Sequence, residues 1–245
     1  MAAPANTGPV RLSVVLPAFN EEENIEPLID ELVQHLGALH HPFEILLVDD
    51  ASTDGGLEVA RRVARREPRL RILELTQHCG QSAAFDAGFR AARGEWVVTM
   101  DADLQNDPAD IGRLLEASPG WDAVVGWRRV RYDSWLKRIS SRISNAIRNW
   151  VSGDSIIDTG CSLKLIRRET LGTLKMYNGM HRFLPTLLRF EGWRVREIDV
   201  NHRPRLRGRS KYNVRNRALR AFVDLLAVRW MRARRLCYRL RHHEN

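Results

Sequence analysis

The chain has 245 residues, 44% of them hydrophobic and 28% charged, with a formal net charge of +9. That is ample for one domain with a real core, and no stretch approaches the roughly 18 consecutive apolar residues of a membrane-spanning helix. The excess charge is local, because fourteen Arg or Lys against the single acid Asp224 fall within residues 203–241, leaving the residues before them mildly acidic; a tail of this kind suits an anionic surface or substrate better than a groove tracking a duplex, so no nucleic-acid partner is expected.

Residues 1–10 have no basic start followed by an apolar run, so they read as a disordered N-terminus without a secretory signal. From there, short runs rich in Val, Ile and Leu alternate with segments of helical periodicity. Leu12–Pro17, Glu44–Asp49, Leu70–Leu75, Trp96–Met100 and Ala123–Gly126 read as buried strands. Glu22–Leu36, Gly55–Arg66, Gln81–Arg93 and Pro108–Glu116 read as the helices between them. Such alternation predicts an α/β domain with a mainly parallel sheet, in which ligands bind beyond the carboxyl ends of the strands. After Gly126 the pattern loosens: Tyr132–Val151 is a basic amphipathic segment of helical character, Ser162–Ile166 a strand, Met180–Phe190 an apolar helix and Trp193–Val200 a strand. Asn201–Tyr212, with Pro204 and Gly208, reads as a basic loop, and Val214–Leu240 as a last helix. Cys79, Cys161 and Cys237 lie far apart with no CxxC spacing, which predicts reduced thiols in a cytosolic chain.

The chemistry gathers where the sheet rule puts it. Strand one ends in Pro17-Ala18-Phe19-Asn20-Glu21, strand two in Val48-Asp49-Asp50-Ala51-Ser52-Thr53-Asp54-Gly55, and strand four in Asp101-Ala102-Asp103-Leu104-Gln105. Six acids at one rim would repel one another unless a divalent cation or ligand donors offset them. Asp101 and Asp103, two residues apart after an apolar strand, can point into one site, and oxygen ligands at that density favour Mg²⁺ or Mn²⁺ with positions left for diphosphate oxygens. Farther on, Arg205, Gly208, Ser210, Lys211 and Tyr212 combine a bendable backbone with phosphate-gripping cations. In the last helix, Leu219, Phe222, Val223, Leu226, Trp230, Ala233, Cys237 and Leu240 recur at spacings of three or four among many Arg, the pattern of a helix lying on an anionic membrane, or of one docked on its own domain.

Together Pro17–Glu21, Asp49–Gly55, Gly80–Ala92, Asp101–Gln105, Gly126–Arg128, Asp158–Ile166 and Arg205–Tyr212 resemble the family 2 glycosyltransferases, over nearly the whole chain and in family order. The resemblance is nearest to the dolichol-phosphate mannose synthase branch and its bacterial undecaprenyl-phosphate relatives, since Asp101–Gln105 with R-x-x-G-x-S-K-Y is more specific than the rest. It implies a GT-A fold over residues 11–212: an α/β, Rossmann-like, mainly parallel sheet flanked by helices, followed by a basic amphipathic juxtamembrane helix and tail over 213–245. It implies that Pro17, Ala18, Phe19, Glu21, Val48, Asp50, Gln81, Asp101 and Ala102 cradle a GDP- or UDP-linked sugar. Phe19 stands where the family often has Tyr, keeping a stacking face without the hydroxyl. By the same resemblance Asp103, Gln105 and Asp101 hold Mg²⁺ or Mn²⁺, Arg128 approaches the diphosphate, and Arg205, Ser210 and Lys211 hold the phosphate of a polyprenyl acceptor. Asp158, in Asp158-Thr159-Gly160-Cys161, is the candidate base or orienter of that acceptor. The activity so implied is inverting sugar transfer to undecaprenyl or dolichyl phosphate by a protein held peripherally at the cytoplasmic face of the membrane. Two readings compete with it: the same donor chemistry with a soluble or glycan acceptor, and a non-catalytic module that uses its tail to hold membrane or nucleic acid.

Overall fold

The computed structural model of the chain describes residues 9–128, 156–204 and 214–236. The predicted segment Tyr132–Val151, most of residues 1–10, the loop residues Arg205–Tyr212 and the last residues from Cys237 on lie outside them. In the described residues, strands β1 (Leu12–Ala18), β2 (Phe43–Asp49), β3 (Leu70–Glu74), β4 (Trp96–Thr99) and β5 (Ala123–Arg128) alternate with helices α1 (Glu22–Ala38), α2 (Gly56–Arg66), α3 (Gln81–Ala91) and α4 (Asp110–Glu116). Strands β6 (Lys164–Arg167) and β7 (Val195–Val200) complete one sheet in the order β3-β2-β1-β4-β6-β5-β7. All its pairings are parallel except those of β6, which runs antiparallel to both β4 and β5. This is the α/β, mainly parallel architecture that the alternating pattern predicts.

The strands carry unbroken apolar runs because both faces are covered. On one face Ile25, Leu28, Ile29, Leu32 and Leu36 of α1, spaced by three or four, pack on Leu12, Val14, Leu16, Ile45 and Leu47. On the other, Phe85 and Phe89 of α3 and Leu184 and Leu188 cover Val15, Leu46, Val97 and Val125. Each large side chain fully buried in these layers contributes on the order of 1.5–3 kcal/mol. Helix α3 lies close against the sheet at Gly88, where a Cβ would overlap Val15 Cγ1.

Most boundaries shift by one or two residues from the sequence expectation, and two of the differences have a clear local reason. Helix α3 stops at Ala91 rather than Arg93, because Ala92 is extended and the next N–H groups turn to Ser13 Oγ and to Glu44 Oε1. The expected helix Met180–Phe190 is a 3₁₀ turn, Met180–Phe183, leading into a helix, Leu184–Phe190, with Pro185 in its first turn. The last helix, Val214–Arg234, ends before Leu240. The face it docks with is not the expected apolar stripe. Leu225 and Val228 pack against Met180, Phe183 and Leu187, whereas Val223, Leu226 and Trp230 of the expected stripe are exposed. The helix is therefore apolar on two sides, one against the domain and one toward solvent.

Candidate active site

The rim at the carboxyl ends of β1, β2, β4 and β5 is where the predicted residues meet, and the reversed direction of β6 brings residues 158–163 to it from the second half of the chain. The loops after β1 and β2 interlock. Asn20, at φ 53°, accepts the Thr53 N–H at 2.7 Å, and its own N–H donates to Ser52 Oγ at 2.9 Å. Asp49 accepts the Ser52 N–H, Asp54 accepts those of Glu22 and Gly56, Glu22 accepts that of Gly55, and Glu21 accepts from the Asn24 amide. Asp50 is buried, and its carboxylate accepts the Cys79 and Gly80 N–H groups at 2.7 and 2.8 Å. The picture of six mutually repelling acids is thus corrected: backbone donors and one amide neutralise the need for a cation at Glu21, Asp49, Asp50 and Asp54. Pro17 and Ala18 lie within β1, opposite Val48 and Asp49 of β2 in register.

Asp101 and Asp103 are left, immediately beyond β4. The Gln81 amide, at the start of α3, donates to Asp101 Oδ1 at 2.6 Å, so the predicted donor residues Gln81 and Asp101 touch. Burial, and next the carboxylate of Asp103, push the Asp101 carboxyl above its usual range, against a hydrogen bond from Ser162 and the charges of Lys164 and Arg128. Asp103 accepts the Gln105 N–H at 3.2 Å across Leu104, which takes a left-handed φ of 62°. Ala102 is buried between them. The Gln105 carbonyl accepts the Arg203 N–H at 2.8 Å, and Asn106 bridges to His202. These contacts bring the end of the described segment 156–204 alongside Asp103.

Lys164 is the residue that the sequence reading missed. It sits in β6 between Thr99 and Val125, 4% exposed, with its Nζ donating to the Cys161 carbonyl. Burial holds its ammonium below the usual lysine range even though Cys161, Asp101 and Asp158 favour the charge. Its amine lies close enough to Asp101 and Asp158 for both carboxylates to favour its charge. Cys161 beside it is buried, its thiol pushed up by burial, which makes it an inert packing residue rather than a nucleophile.

The two residues given separate roles from the sequence, Arg128 and Asp158, are partners. Arg128 Nε and Nη2 donate to the two Asp158 oxygens at 2.8 and 3.0 Å, and its backbone N–H adds a third contact at 3.3 Å. Burial works against the Arg128 charge, and the bond to Asp158 more than offsets it, so its proton is held more tightly than usual. Asp158 also accepts the Gly160 N–H at 3.1 Å. A carboxylate so engaged is built to orient a guanidinium. Arg205, Ser210 and Lys211 lie outside the described residues.

Among the described residues no group of three or more His, Cys, Asp or Glu is gathered to hold a metal. What the rim offers a cation is the pair Asp101 and Asp103, a donor set that fits Mg²⁺ or Mn²⁺, which bind through one or two carboxylates and complete their shell with water and substrate phosphate.

The chain matches the family model described as Glycosyl transferase family 2 over residues 13–174. It is 40% identical over 225 residues to a dodecaprenyl-phosphate galacturonate synthase of Rhizobium johnstonii, covering 89% of this chain and 66% of that protein. An undecaprenyl-phosphate 4-deoxy-4-formamido-L-arabinose transferase of Aeromonas hydrophila is 36% identical over 211 residues, covering 85% and 65%. The chain therefore spans slightly less than two thirds of the length of these relatives. In fold it is similar to a mannosyltransferase from Pyrobaculum calidifontis in complex with GDP-Man and Mn²⁺, with a TM-score of 0.67 and 25% identity over 92% of this chain and 67% of that one. A glucosyl-3-phosphoglycerate synthase from Mycobacterium tuberculosis, in complex with Mn²⁺ and UDP-glucose, shares the fold at a TM-score of 0.66 and 19% identity, over 91% and 81%.

Proposed function

Because the chain belongs to glycosyl transferase family 2, we propose that it moves a sugar from a nucleotide diphosphate sugar to a polyprenyl phosphate, with inversion at the anomeric carbon. The observation that carries this reading is the carboxylate pair Asp101 and Asp103 at the rim, backed by the buried Lys164 and flanked by the Arg128–Asp158 pair. The named activities of the two bacterial relatives, both on polyprenyl phosphates, favour that acceptor over a soluble one.

In this reading the loop after β1 and Asp50 hold the base and ribose, and Gln81 fixes Asp101 toward the donor. Asp103, Asp101 and Gln105 would hold Mg²⁺ or Mn²⁺, which supplies neutralisation of charge on the departing diphosphate. Arg128, aimed by Asp158, faces the same diphosphate. An acceptor phosphate oxygen attacks the anomeric carbon as the bond to the diphosphate breaks, and the nucleoside diphosphate leaves with the electron pair. That oxygen is already anionic at neutral pH, so no protein base need take a proton. Positioning and charge complementarity account for the rate. The expected roles of Arg205, Ser210 and Lys211 on the acceptor phosphate complete the scheme.

Peripheral attachment at the cytoplasmic membrane face belongs to the same proposal. No described helix is long and apolar enough to cross a membrane. The last helix exposes Val223, Leu226 and Trp230 beside exposed Arg229, Arg232, Arg234 and Arg235, a surface suited to an anionic leaflet. The test is incubation with membranes, Mg²⁺ or Mn²⁺ and a panel of labelled nucleotide sugars. Label should enter the organic phase with wild-type protein and not with Asp103→Asn; label moving only into water-soluble product would overturn the acceptor assignment.

A further inference from the structure

The loop before α3 carries a side chain that the proposed chemistry does not use. The His78 ring stacks on Phe19 with centroids 4.1 Å apart and planes inclined by 28°. Its Nδ1 lies 2.9 Å from Asp50 Oδ2 and 3.3 Å from the Asp50 carbonyl oxygen. A flat heterocycle thus covers the aromatic face of Phe19 and turns one of its two ring nitrogens to a buried carboxylate. A nucleobase held by Phe19 and Asp50 would make the same two contacts.

We infer that His78 is a built-in stand-in for the donor's base, occupying the base site in the free protein and swinging out when the donor enters. The inference rests on the proposed reading of Phe19 and Asp50 as base-holding residues. The hinge is local. The Cys79 and Gly80 N–H groups bind the two Asp50 oxygens at 2.7 and 2.8 Å, so the loop backbone is pinned independently of the ring. His78 has 54% of its side chain exposed against 4% for Asp50, so rotation about its own side-chain bonds delivers the ring to water and leaves the acceptor in place. The vacated position on Asp50 Oδ2 accepts and cannot donate. It therefore suits a base whose ring nitrogen carries hydrogen at that edge, uracil or guanine. Cytosine and adenine present a bare ring nitrogen at that position, lone pair against carboxylate, and could donate only from the exocyclic amino group beside it. The stand-in keeps Asp50 and the Phe19 face satisfied in the empty protein, at the expense of donor affinity, because only the fraction of molecules with the ring out binds.

The experiment is calorimetric titration of wild-type and His78→Ala protein with UDP, GDP, CDP and ADP in the presence of Mn²⁺. In parallel, the His78 ring signals of ¹³C-histidine-labelled wild-type protein are followed through the same titration. His78→Ala should bind UDP or GDP about threefold to tenfold more tightly, the size of one competing stacked contact, and the wild-type ring signals should move as nucleotide saturates. Equal or weaker binding by His78→Ala, with wild type binding normally, overturns the stand-in while leaving the glycosyltransferase reading intact. Binding of none of the four nucleotides by either protein removes both. CDP or ADP binding as tightly as UDP and GDP refutes the base class. Should His78→Ala not fold, ring signals that stay fixed at saturating nucleotide in wild-type protein overturn the proposal by themselves.

Discussion

Replacing Asp158 by Asn separates orientation from base catalysis. In the wild type the carboxylate takes two guanidinium bonds at 2.8 and 3.0 Å and the backbone N–H groups of Arg128 and Gly160 at 3.3 and 3.1 Å. Asparagine keeps one acceptor oxygen and brings an NH₂ toward a cation, leaving Arg128 half-bonded. Breaking a fully buried pair costs about 3–5 kcal/mol. Arg128 has 21% of its side chain exposed and regains some water, so we expect about 2 kcal/mol, near the worth of one hydrogen bond to a charged group. Arg128→Ala should cost about 3 kcal/mol, because the carboxylate it abandons is the more deeply buried partner, 5% exposed against 21%. The double variant should fall short of the sum by roughly 1.5 kcal/mol or more, the coupling of residues in direct contact. Urea unfolding of the four proteins measures this cycle. Transfer by Asp158→Asn should drop about tenfold, with the acid limb of its pH–rate profile unmoved, since an unmoored Arg128 still carries its charge. A coupling below about 0.5 kcal/mol, or a rate loss of about a thousandfold with the acid limb gone, would refute the orienting role.

Two buried carboxylates should tilt stability with pH in opposite directions. Glu44, bonded by Ser13, Arg71 and the Arg93 N–H, is held below its usual range: burial opposes this, and the hydrogen bonds to Ser13 and Arg71 more than offset it. Its contribution is present above the unfolded value of 4.5 and is lost as pH falls through the lower folded value. Glu44→Gln should thus destabilise at pH 7 by about 2 kcal/mol and flatten the acid limb of stability in urea unfolding. Asp101 is raised, chiefly by burial, so stability is full below its unfolded value of 3.8 and declines as pH climbs toward the folded one. Asp101→Asn should therefore be more stable than wild type at pH 7 without metal, equal to it in strong acid, and inactive. Lys164→Met, similar in volume, should fold, lose transfer by tenfold or more and weaken nucleotide binding, whereas Lys164→Arg should restore neither, because no space remains around a side chain 4% exposed. Gly88→Ala should cost about 1–3 kcal/mol by thermal or urea unfolding, since its Cβ meets Val15 of β1.

The first five strands were legible because sheet faces covered on both sides demand continuous Val, Ile and Leu. The carboxylates after β4 were legible because the edge rule says where to look. What escaped the sequence depends on pairing across distance. Lys164 stands between Leu163 and Leu165 inside the predicted strand Ser162–Ile166, where a charged residue reads as facing solvent; only register with Thr99 and Val125 reveals that it is inside. Arg128 and Asp158 stand 30 positions apart, and their meeting requires β5 and β6 to be neighbours. The acids at 21, 49, 50 and 54 looked like one charged cluster because residue type does not disclose which backbone N–H groups point at them. The last helix left its docked side open for a simpler cause. Its sequence offers apolar residues on two sides, and Arg229, Arg232, Arg234 and Arg235 interrupt both. Periodicity alone could not choose which side meets Met180 and Phe183.

The lone reversed strand has a use beyond the chemistry. Since β6 enters from the reacting rim and leaves at the far one, the short helix Arg168–Leu171 that follows it, like the turn around Gly120 after α4, emerges on the side of the sheet away from Asp101. Gly120 is exposed at φ 81° with nothing near it. That turn is the natural place to splice in a fluorescent module or to open new chain ends by circular permutation, leaving every sugar-handling group where it stands.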